Sequence, residues 1–142
     1  MATLTYDVYT GVLVAQSDKN LALRIFATGA SGGANYYEFG RVRQVGKHGT
    51  KNHVHGGPIP VGKWPILKPG SPHPDGGALR PKWIPVGPVS HRTHIYIHPK
   101  GTLTEGCIAV DDPVRFFEIR QLLNNENGGT LFVIPGRTDV LV

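Results

Sequence analysis

The chain contains a single cysteine, Cys107, among its 142 residues. One cysteine cannot form an internal disulfide, which excludes a small secreted fold held together by disulfides. No apolar run approaches the roughly 18 residues that a membrane-spanning helix requires, so we expect no membrane insertion. Residues 1–20 lack the basic start and apolar stretch of a secretory signal, which predicts synthesis in the cytoplasm without a signal peptide.

Clustered charge is also missing. The net charge is +5 at pH 7 with the seven histidines counted as neutral, but the lysines and arginines are scattered along the chain. A basic protein favours anionic surroundings such as nucleic acid, anionic lipid or the acidic polymers of a cell envelope. Because no nucleic-acid-reading motif accompanies this charge, we expect no nucleic-acid partner.

Glycine and proline are abundant, with 19 and 12 residues, and they are spread among stretches rich in Val, Ile, Tyr and Trp. This pattern indicates short strands joined by many turns. The length suits one domain, predicted to span residues 1–142. The predicted strands are Thr3–Tyr9, Val12–Gln16, Leu21–Thr28, Val61–Leu67, Lys82–Val86, Arg92–His98, Thr130–Ile134 and Thr138–Val142.

Three details refine this strand prediction. The first two strands flank Thr10-Gly11 and are predicted to form a hairpin, whereas Leu21–Thr28 also fits an amphipathic helix. Pro65 predicts an edge strand or a bulge. Large aromatic residues on strands are more often core than cleft lining, so Trp64 and Trp83 are predicted in the core, with a cleft as the alternative.

One helix is predicted after the cysteine. Asp112 and Pro113 suit the N-cap and the first helical position. The helix is predicted to end near Asn124, before Asn127-Gly128-Gly129, with an apolar stripe formed by Val114, Phe117, Ile119 and Leu122 or Leu123. The sum is a mainly β fold, packed as a β-sandwich or a partly closed barrel, with one α-helix following Cys107.

Two long connections are predicted, Gly29–Gly57 and Lys68–Pro81. Connections of such length inside a compact domain are usually functional or disordered. We interpret Gly29–Gly57 as a cover over the functional site or a partner-binding surface, with a solvated loop as the equal alternative.

Cys107 and His98 are the strongest candidates for chemistry. They lie nine positions apart, joined by a segment rich in turn-forming residues, so a compact loop can bring thiol and imidazole together. A thiol becomes a nucleophile as its thiolate, and a nearby imidazole promotes that form near neutral pH. The alternative is a buried, inert cysteine. Gly106 favours the reactive interpretation, because it leaves backbone N–H groups able to stabilise an oxyanion.

The segment Ile97-His98, Gly101-Thr102 and Thr104-Glu105-Gly106-Cys107-Ile108 resembles the histidine-to-cysteine signature of YkuD-type L,D-transpeptidases. The short gap, together with Gly57-Pro58-Ile59-Pro60-Val61-Gly62, is most similar to small type VI secretion toxins with an L,D-transpeptidase-like domain. The likeness is best over residues 57–110. Two positions depart from the family pattern: Glu105 replaces a histidine, and Ala109 replaces a polar residue, which leaves the substrate contacts near Ala109 unassigned.

This resemblance implies the roles of individual residues. Cys107 would be the nucleophile and His98 the base, with Gly106 at the oxyanion and the carbonyl of Pro99 orienting the imidazole. Substrate-binding residues are expected at Arg92, Tyr96, Thr104, Glu105 and His55. No metal and no cofactor are expected.

The same resemblance implies a biological setting. The implied substrate is the stem tetrapeptide of peptidoglycan, whose L,D bond would be cleaved or exchanged by an L,D-carboxypeptidase or transpeptidase. The implied partners are a secretion apparatus and a cognate immunity protein. The protein would be an antibacterial effector that acts in the periplasm of a target cell.

Three alternatives stay open from the residues. His53 with His55, and His91 with His94 and His98, supply enough imidazoles for a histidine-based zinc hydrolase. A nucleic-acid binder is permitted by the isoelectric point near 9.6. The third alternative is a noncatalytic relative that only binds peptidoglycan.

Overall fold

The computed structural model describes residues 1–31, 37–38, 41–42, 58–101 and 106–136, and its main elements are eight strands and one helix. The strands are β1 (Ala2–Asp7), β2 (Val12–Gln16), β3 (Arg24–Ser31), β6 (Gly62–Ile66), β7 (Ile84–Val86), β8 (Ile95–Pro99), β9 (Ile108–Val110) and β10 (Gly129–Ile134). Two short strands, β4 (Tyr37–Glu38) and β5 (Arg41–Val42), pair only with each other. The helix is α1 (Pro113–Asn125).

The eight strands close into a barrel in the order β1-β10-β6-β7-β8-β9-β3-β2. The parallel pairing of β1 with β10, from Ala2 opposite Gly129 to Asp7 opposite Ile134, joins the two ends of the described chain. The mainly β prediction with one helix is confirmed, and where a β-sandwich or a partly closed barrel was predicted, the structure has a closed barrel. Closure leaves none of these eight strands with an unpaired edge.

The predicted hairpin is present, with β1 antiparallel to β2. Strand β1 ends at Asp7, two residues earlier than predicted, because the Asp7 carboxylate accepts hydrogen bonds from the N–H groups of Tyr9 at 2.8 Å and Thr10 at 3.4 Å. Gly11 completes the turn with a φ of +80°, a conformation that favours glycine.

The segment predicted as Leu21–Thr28 forms a strand, as preferred over the helix, but this strand, β3, continues to Ser31. Gly29 to Ser31 pair with Val110 to Ile108 of β9, so the long connection predicted to begin at Gly29 begins later. Gly29 permits this pairing, since a Cβ there would lie 2.7 Å from the Ala109 carbonyl oxygen. Most of the proposed cover, residues 32–36, 39–40 and 43–57, lies outside the described residues, as does the predicted last strand, Thr138–Val142.

Pro65 does not mark an edge strand, because β6 has β10 on one side and β7 on the other. The β6–β7 ladder is reduced to the single pair Ile66 and Val86, so the missing N–H of Pro65 interrupts no long ladder. The Pro65 carbonyl still accepts a hydrogen bond from the N–H of Gly87 at 2.9 Å.

Helix α1 begins where it was predicted to begin, but the face that it buries differs from the predicted one. The Asp112 carboxylate accepts from the N–H of Val114 at 2.8 Å, and Pro113 occupies the first turn. Asn127 and Gly128 end the helix with φ values of +59° and +89°. The predicted stripe is wrong at Val114 and Phe117, which are exposed; the buried residues are Phe116, Ile119, Leu122 and Leu123.

Apolar side chains fill the interior of the barrel. The largest fully buried ones include Leu4, Tyr6, Leu13, Ile84, Ile97, Ile108 and Leu131. The helix packs its buried face against β3, β8 and β9. His98 lies on β8, and Cys107 immediately precedes β9. None of the helices in the described part of the chain is long and apolar enough to cross a membrane.

Candidate functional site

Cys107 immediately precedes β9, at the start of the parallel pair that β9 forms with β8. The register places Ile108 opposite Ile97, which brings Cys107 to the level of Tyr96. The Cys107 sulfur accepts a hydrogen bond from the Tyr96 N–H at 3.3 Å, and the thiol donates to the His94 carbonyl at 3.6 Å. Cys107 is half-buried, so the sulfur is both held by backbone groups and reachable from solvent.

His98 lies two positions beyond Tyr96 on β8 and is buried. Its Nδ1 lies 2.9 Å from the carbonyl oxygen of Pro99. A carbonyl oxygen only accepts, so Nδ1 carries the proton, and the neutral imidazole keeps its lone pair on Nε2. This is the contact that the resemblance implied for Pro99, and it gives His98 the tautomer that a general base needs.

Tyr96 and His98 lie two positions apart on β8 and therefore share one face of the strand, and the ring of Trp83 contacts both. The strand itself begins later than predicted, at Ile95 instead of Arg92. Before it, the backbone turns through His94, whose φ is +56°. This turn directs the His94 carbonyl toward Cys107, which a continuous strand would not do.

The electrostatics keep both groups on this face neutral. Burial lowers the pKa of His98, the nearby Arg80 lowers it further, and the hydrogen bond to Pro99 opposes both effects. Burial raises the pKa of Tyr96; Arg80 opposes this shift, whereas Cys107 and Asp75 add to it. His98 is therefore a neutral base near neutral pH, and Tyr96 remains a phenol.

Trp83 is the site residue that sequence reasoning misplaced. It is only partly buried and stacks on the His98 imidazole with 4.4 Å between ring centroids and 24° between planes. It also meets Tyr96 edge-on at 5.4 Å. Trp83 lies just before β7, between Pro81 and Pro85, and these two prolines were the available signal, because they leave little room for a long buried ladder around Trp83.

His73 contacts Tyr96 and the backbone around it, and no role was predicted for His73 from the sequence. Its buried ring lies 4.8 Å from the ring of Tyr96. Nε2 donates to the carbonyls of Val86 at 3.0 Å and Ile95 at 2.9 Å, and Nδ1 accepts from the N–H of Asp75 at 3.0 Å. Both nitrogens of His73 are thus committed to the backbone.

The histidines do not assemble a metal centre in the part of the chain that is described. Across residues 1–31, 58–101 and 106–136, no three His, Cys, Asp or Glu side chains are placed to hold a metal ion. His53 and His55, the other half of the zinc alternative, lie outside the described residues.

The backbone of Gly106 is held by contacts with Arg92 and with Ser31. Its φ is +121°, and a Cβ there would lie 2.5 Å from Nη2 of Arg92. The Gly106 carbonyl accepts from the Ser31 hydroxyl at 3.1 Å, and that hydroxyl accepts from the N–H of Ile59 at 2.9 Å. The backbone before Cys107 is therefore positioned by contacts from β3 and from the segment before β6.

Arg92, a predicted substrate-binding residue, supports this same backbone. Its Nη1 donates to the Pro58 carbonyl at 2.9 Å, and the guanidinium packs against Gly106. Thr104, Glu105 and His55, the other residues predicted to bind substrate along with Tyr96, lie outside the described residues. Of that group, Tyr96 contacts Cys107 through its backbone N–H, and Arg92 packs against the neighbouring Gly106.

No protein-family model, curated protein or solved structure matched this chain in the comparisons made. The fold is therefore described by what the structure itself contains, a closed barrel of eight strands with one helix. The likeness to L,D-transpeptidases rests on sequence motifs that are clearest over residues 57–110, and membership of that family stays a prediction.

Proposed function

We propose that this protein is a cysteine acyltransferase that cleaves or exchanges the L,D bond of peptidoglycan stem tetrapeptides. One observation carries the proposal. The parallel pairing of β8 and β9 sets the Cys107 sulfur against the backbone of His94 and Tyr96, two positions from a buried histidine in the base tautomer. A nucleophile, a base and a group that orients the base are the parts that thiol acyl transfer requires.

In the first step, Nε2 of His98 takes the thiol proton and the Cys107 sulfur attacks the carbonyl carbon of the L,D bond. The Tyr96 N–H, 3.3 Å from the sulfur, donates to it and stabilises negative charge there. The tetrahedral intermediate collapses when the C–N bond breaks and His98 returns the proton to the leaving amine. The products are a thioester on Cys107 and a free D-amino acid.

The negative oxygen of that intermediate needs donors. The N–H groups of Cys107 and Gly106 are assigned this role. The positive φ of Gly106 and its contacts with Ser31 and Arg92 hold the backbone in one conformation before the reaction. Donors that are already oriented need no reorganisation as charge develops, which is the main source of oxyanion stabilisation.

In the second step the thioester is resolved by a nucleophile that His98 deprotonates. Water gives a stem tripeptide, which is carboxypeptidase activity. The amine of a D-amino acid or of a neighbouring stem gives exchange or a cross-link. Both routes return Cys107 to its thiol, so the protein needs no cofactor for the cycle.

The peptidoglycan assignment is supported by the two segments that resemble L,D-transpeptidases and by the net charge of +5, which suits an acidic cell envelope. With that resemblance come the remaining proposals. The protein would be a type VI secretion effector, carried by a secretion apparatus to the periplasm of a target bacterium and neutralised in its producer by a cognate immunity protein.

The test is incubation of the purified protein with disaccharide tetrapeptide from a meso-diaminopimelate cell wall, with and without an added D-amino acid. We expect loss or exchange of the terminal D-residue, detected by mass spectrometry. Cys107→Ala should lower the rate by at least about a thousandfold, because it removes the nucleophile. Circular dichroism should show the same fold in both proteins.

Iodoacetamide labelling separates the possible failures. A protein that is alkylated at Cys107 but forms no product on monomeric or cross-linked muropeptides would be a peptidoglycan-binding protein or act on another acyl substrate. Full activity of Cys107→Ala would refute the thiol mechanism and direct attention to zinc content.

A further inference from the structure

Among the described residues, the Arg80 guanidinium stacks on Trp83 and takes part in none of the ion pairs. The other nearby arginine, Arg92, has its Nη1 bound to the Pro58 carbonyl and packs against Gly106. Arg80 is exposed, and its guanidinium lies 4.5 Å from the ring centroid of Trp83.

Arg80 is connected to the proposed base by a stack. Trp83 contacts the Arg80 guanidinium and lies 4.4 Å from the His98 imidazole, nearly parallel to it. We call these three residues the Arg80–Trp83–His98 stack. A guanidinium over an indole ring is attracted to it and gives up part of its freedom, which orients its donors before any ligand arrives.

The backbone that carries Arg80 is also held. The Arg80 carbonyl accepts from the N–H of Trp83 at 3.1 Å, which closes a turn. The carbonyl of Pro81 accepts from Nη2 of Arg120 at 2.8 Å, which ties this turn to α1. A cation on an anchored turn beside the site is suited to ligand recognition, because little order must be created on binding.

We propose that Arg80 binds the terminal carboxylate of the leaving D-residue, so that the enzyme selects acyl donors ending in a free carboxylate; this rests on the proposed function. The leaving amine takes its proton from His98, and one carbon separates that amine from its own carboxylate. Trp83 contacts both the Arg80 guanidinium and the His98 imidazole, so Arg80 is the arginine that lies one ring away from the group that returns this proton. Its planar fork matches a carboxylate with two parallel hydrogen bonds.

Substrate binding would also adjust the base. The charge of Arg80 lowers the pKa of His98, in addition to the larger effect of burial. A bound carboxylate compensates this charge, so the pKa of His98 rises once substrate is in place. The imidazole thus becomes a better proton acceptor at the moment when the thiol must be deprotonated.

The experiment compares two substrates, the disaccharide tetrapeptide with its free terminal carboxylate and the same compound ending in an amide. The proteins are the intact chain, Arg80→Gln, Arg80→Lys and, as the matched control, Lys82→Gln, which removes an exposed positive charge two residues away. For the free carboxylate we expect Arg80→Gln to lower kcat/KM by about tenfold to a hundredfold, mainly through KM. The amide should react at a rate that does not depend on Arg80.

Arg80→Lys should fall between the intact protein and Arg80→Gln, since lysine keeps the charge and loses the fork. Lys82→Gln should stay within about twofold of the intact protein for both substrates. Equal losses on both substrates, or no loss, would overturn the proposal. So would discrimination only against a compound amidated at the side-chain carboxylate of the third stem residue, which would place Arg80 at that group.

A binding measurement keeps this proposal separate from the proposed function. If the intact protein converts neither substrate, the enzymatic proposal fails, and calorimetric titration of Cys107→Ala with both peptides decides the role of Arg80. Tighter binding of the free carboxylate by about tenfold, lost in the double variant with Arg80→Gln, supports carboxylate recognition. Equal affinity for the two peptides would refute it.

Discussion

Strands β1 and β10 pair over six residues, whereas β8 and β9 pair over three and β6 and β7 over a single pair. We call β1, β2, β3 and β10 the closure side of the barrel, and β7, β8 and β9 the site side. The closure side points Leu4, Leu13 and Leu131 into the interior, all fully buried. The site side buries His98, and the buried His73 packs against it from the neighbouring loop.

This difference shows how a small barrel supports a polar site. Both sides bury apolar side chains, including Ile84, Ile97 and Ile108 on the site side, but the longer ladders give the closure side more backbone hydrogen bonds between strands. The short strands of the site side are completed by side chains, as when His73 donates to the carbonyls of Val86 and Ile95 on neighbouring strands. Buried polar groups and a residue with positive φ, such as His94, are tolerated where the rest of the barrel fixes their surroundings.

The comparison predicts the largest change in activity on the site side. His98→Gln should lower kcat/KM on the tetrapeptide by about a hundredfold to ten-thousandfold, because it removes the base and keeps a side-chain amide that can donate to the Pro99 carbonyl. The matched control is His91→Gln, since His91 is exposed. Wild-type turnover by His98→Gln would show that another group accepts the thiol proton.

On the closure side we expect a substitution to lower stability and to leave activity unchanged. Leu131→Ala removes a fully buried side chain of β10 and should lower the free energy of unfolding by about 2–5 kcal/mol, measured with urea. Leu79→Ala, at a leucine that is 58% exposed, is the control and should change it by less than about 0.5 kcal/mol. The activity per folded molecule of Leu131→Ala should equal that of the intact protein. A selective loss of activity would mean that the two sides are not independent.

The smallest expected effect is a dependence of stability on pH that arises from His98, on the site side. The pKa of His98 in the folded protein lies below its ordinary value of 6.5, so the unfolded chain binds the proton first as the pH falls. Stability is therefore retained above about pH 6.5 and lost as the pH falls from there through the folded pKa. One group carries this effect, so we expect it to be smaller than that of Leu131→Ala.

The measurement is the unfolding free energy of the intact protein and of His98→Gln at a series of pH values. The difference between the two curves isolates His98 from the other histidines, and it should grow in favour of the variant as the pH falls below 6.5. Parallel curves would mean that His98 is as easily protonated in the fold as in the unfolded chain. The acid limb of kcat/KM should likewise lie below 6.5 in the intact protein.

Several features were accessible from the sequence because neighbouring residues decide them. The hairpin at Gly11, the helix start at Asp112 and Pro113, and its end at Asn127 depend on backbone preferences and hydrogen bonds within a few residues. The strand that carries His98 was also predicted, although it begins at Ile95 and not at Arg92. Here the local signal and the tertiary structure agree.

The errors share a different cause. Val114 and Phe117 are apolar and helical, but the face that α1 buries is set by its docking on β3, β8 and β9. Trp83 was assigned to the core because large aromatic residues are usually buried, and its stacking on His98 depends on where the turn at Pro81 is tied to Arg120. In each case the sequence allowed more than one surface to be buried, and packing against distant segments decided which one was.

By itself, then, the sequence determined the kind of most local elements and singled out Cys107 and His98 as candidates for chemistry, because these follow from residue chemistry and short-range geometry. Only the tertiary structure decided that the barrel closes through β1 and β10, that His73 bonds to the carbonyls of Val86 and Ile95, and that Arg80 stacks on Trp83 while Arg92 donates to the Pro58 carbonyl. Those contacts join segments far apart in the chain. Their partners are selected by strand register and barrel curvature, which no single segment encodes.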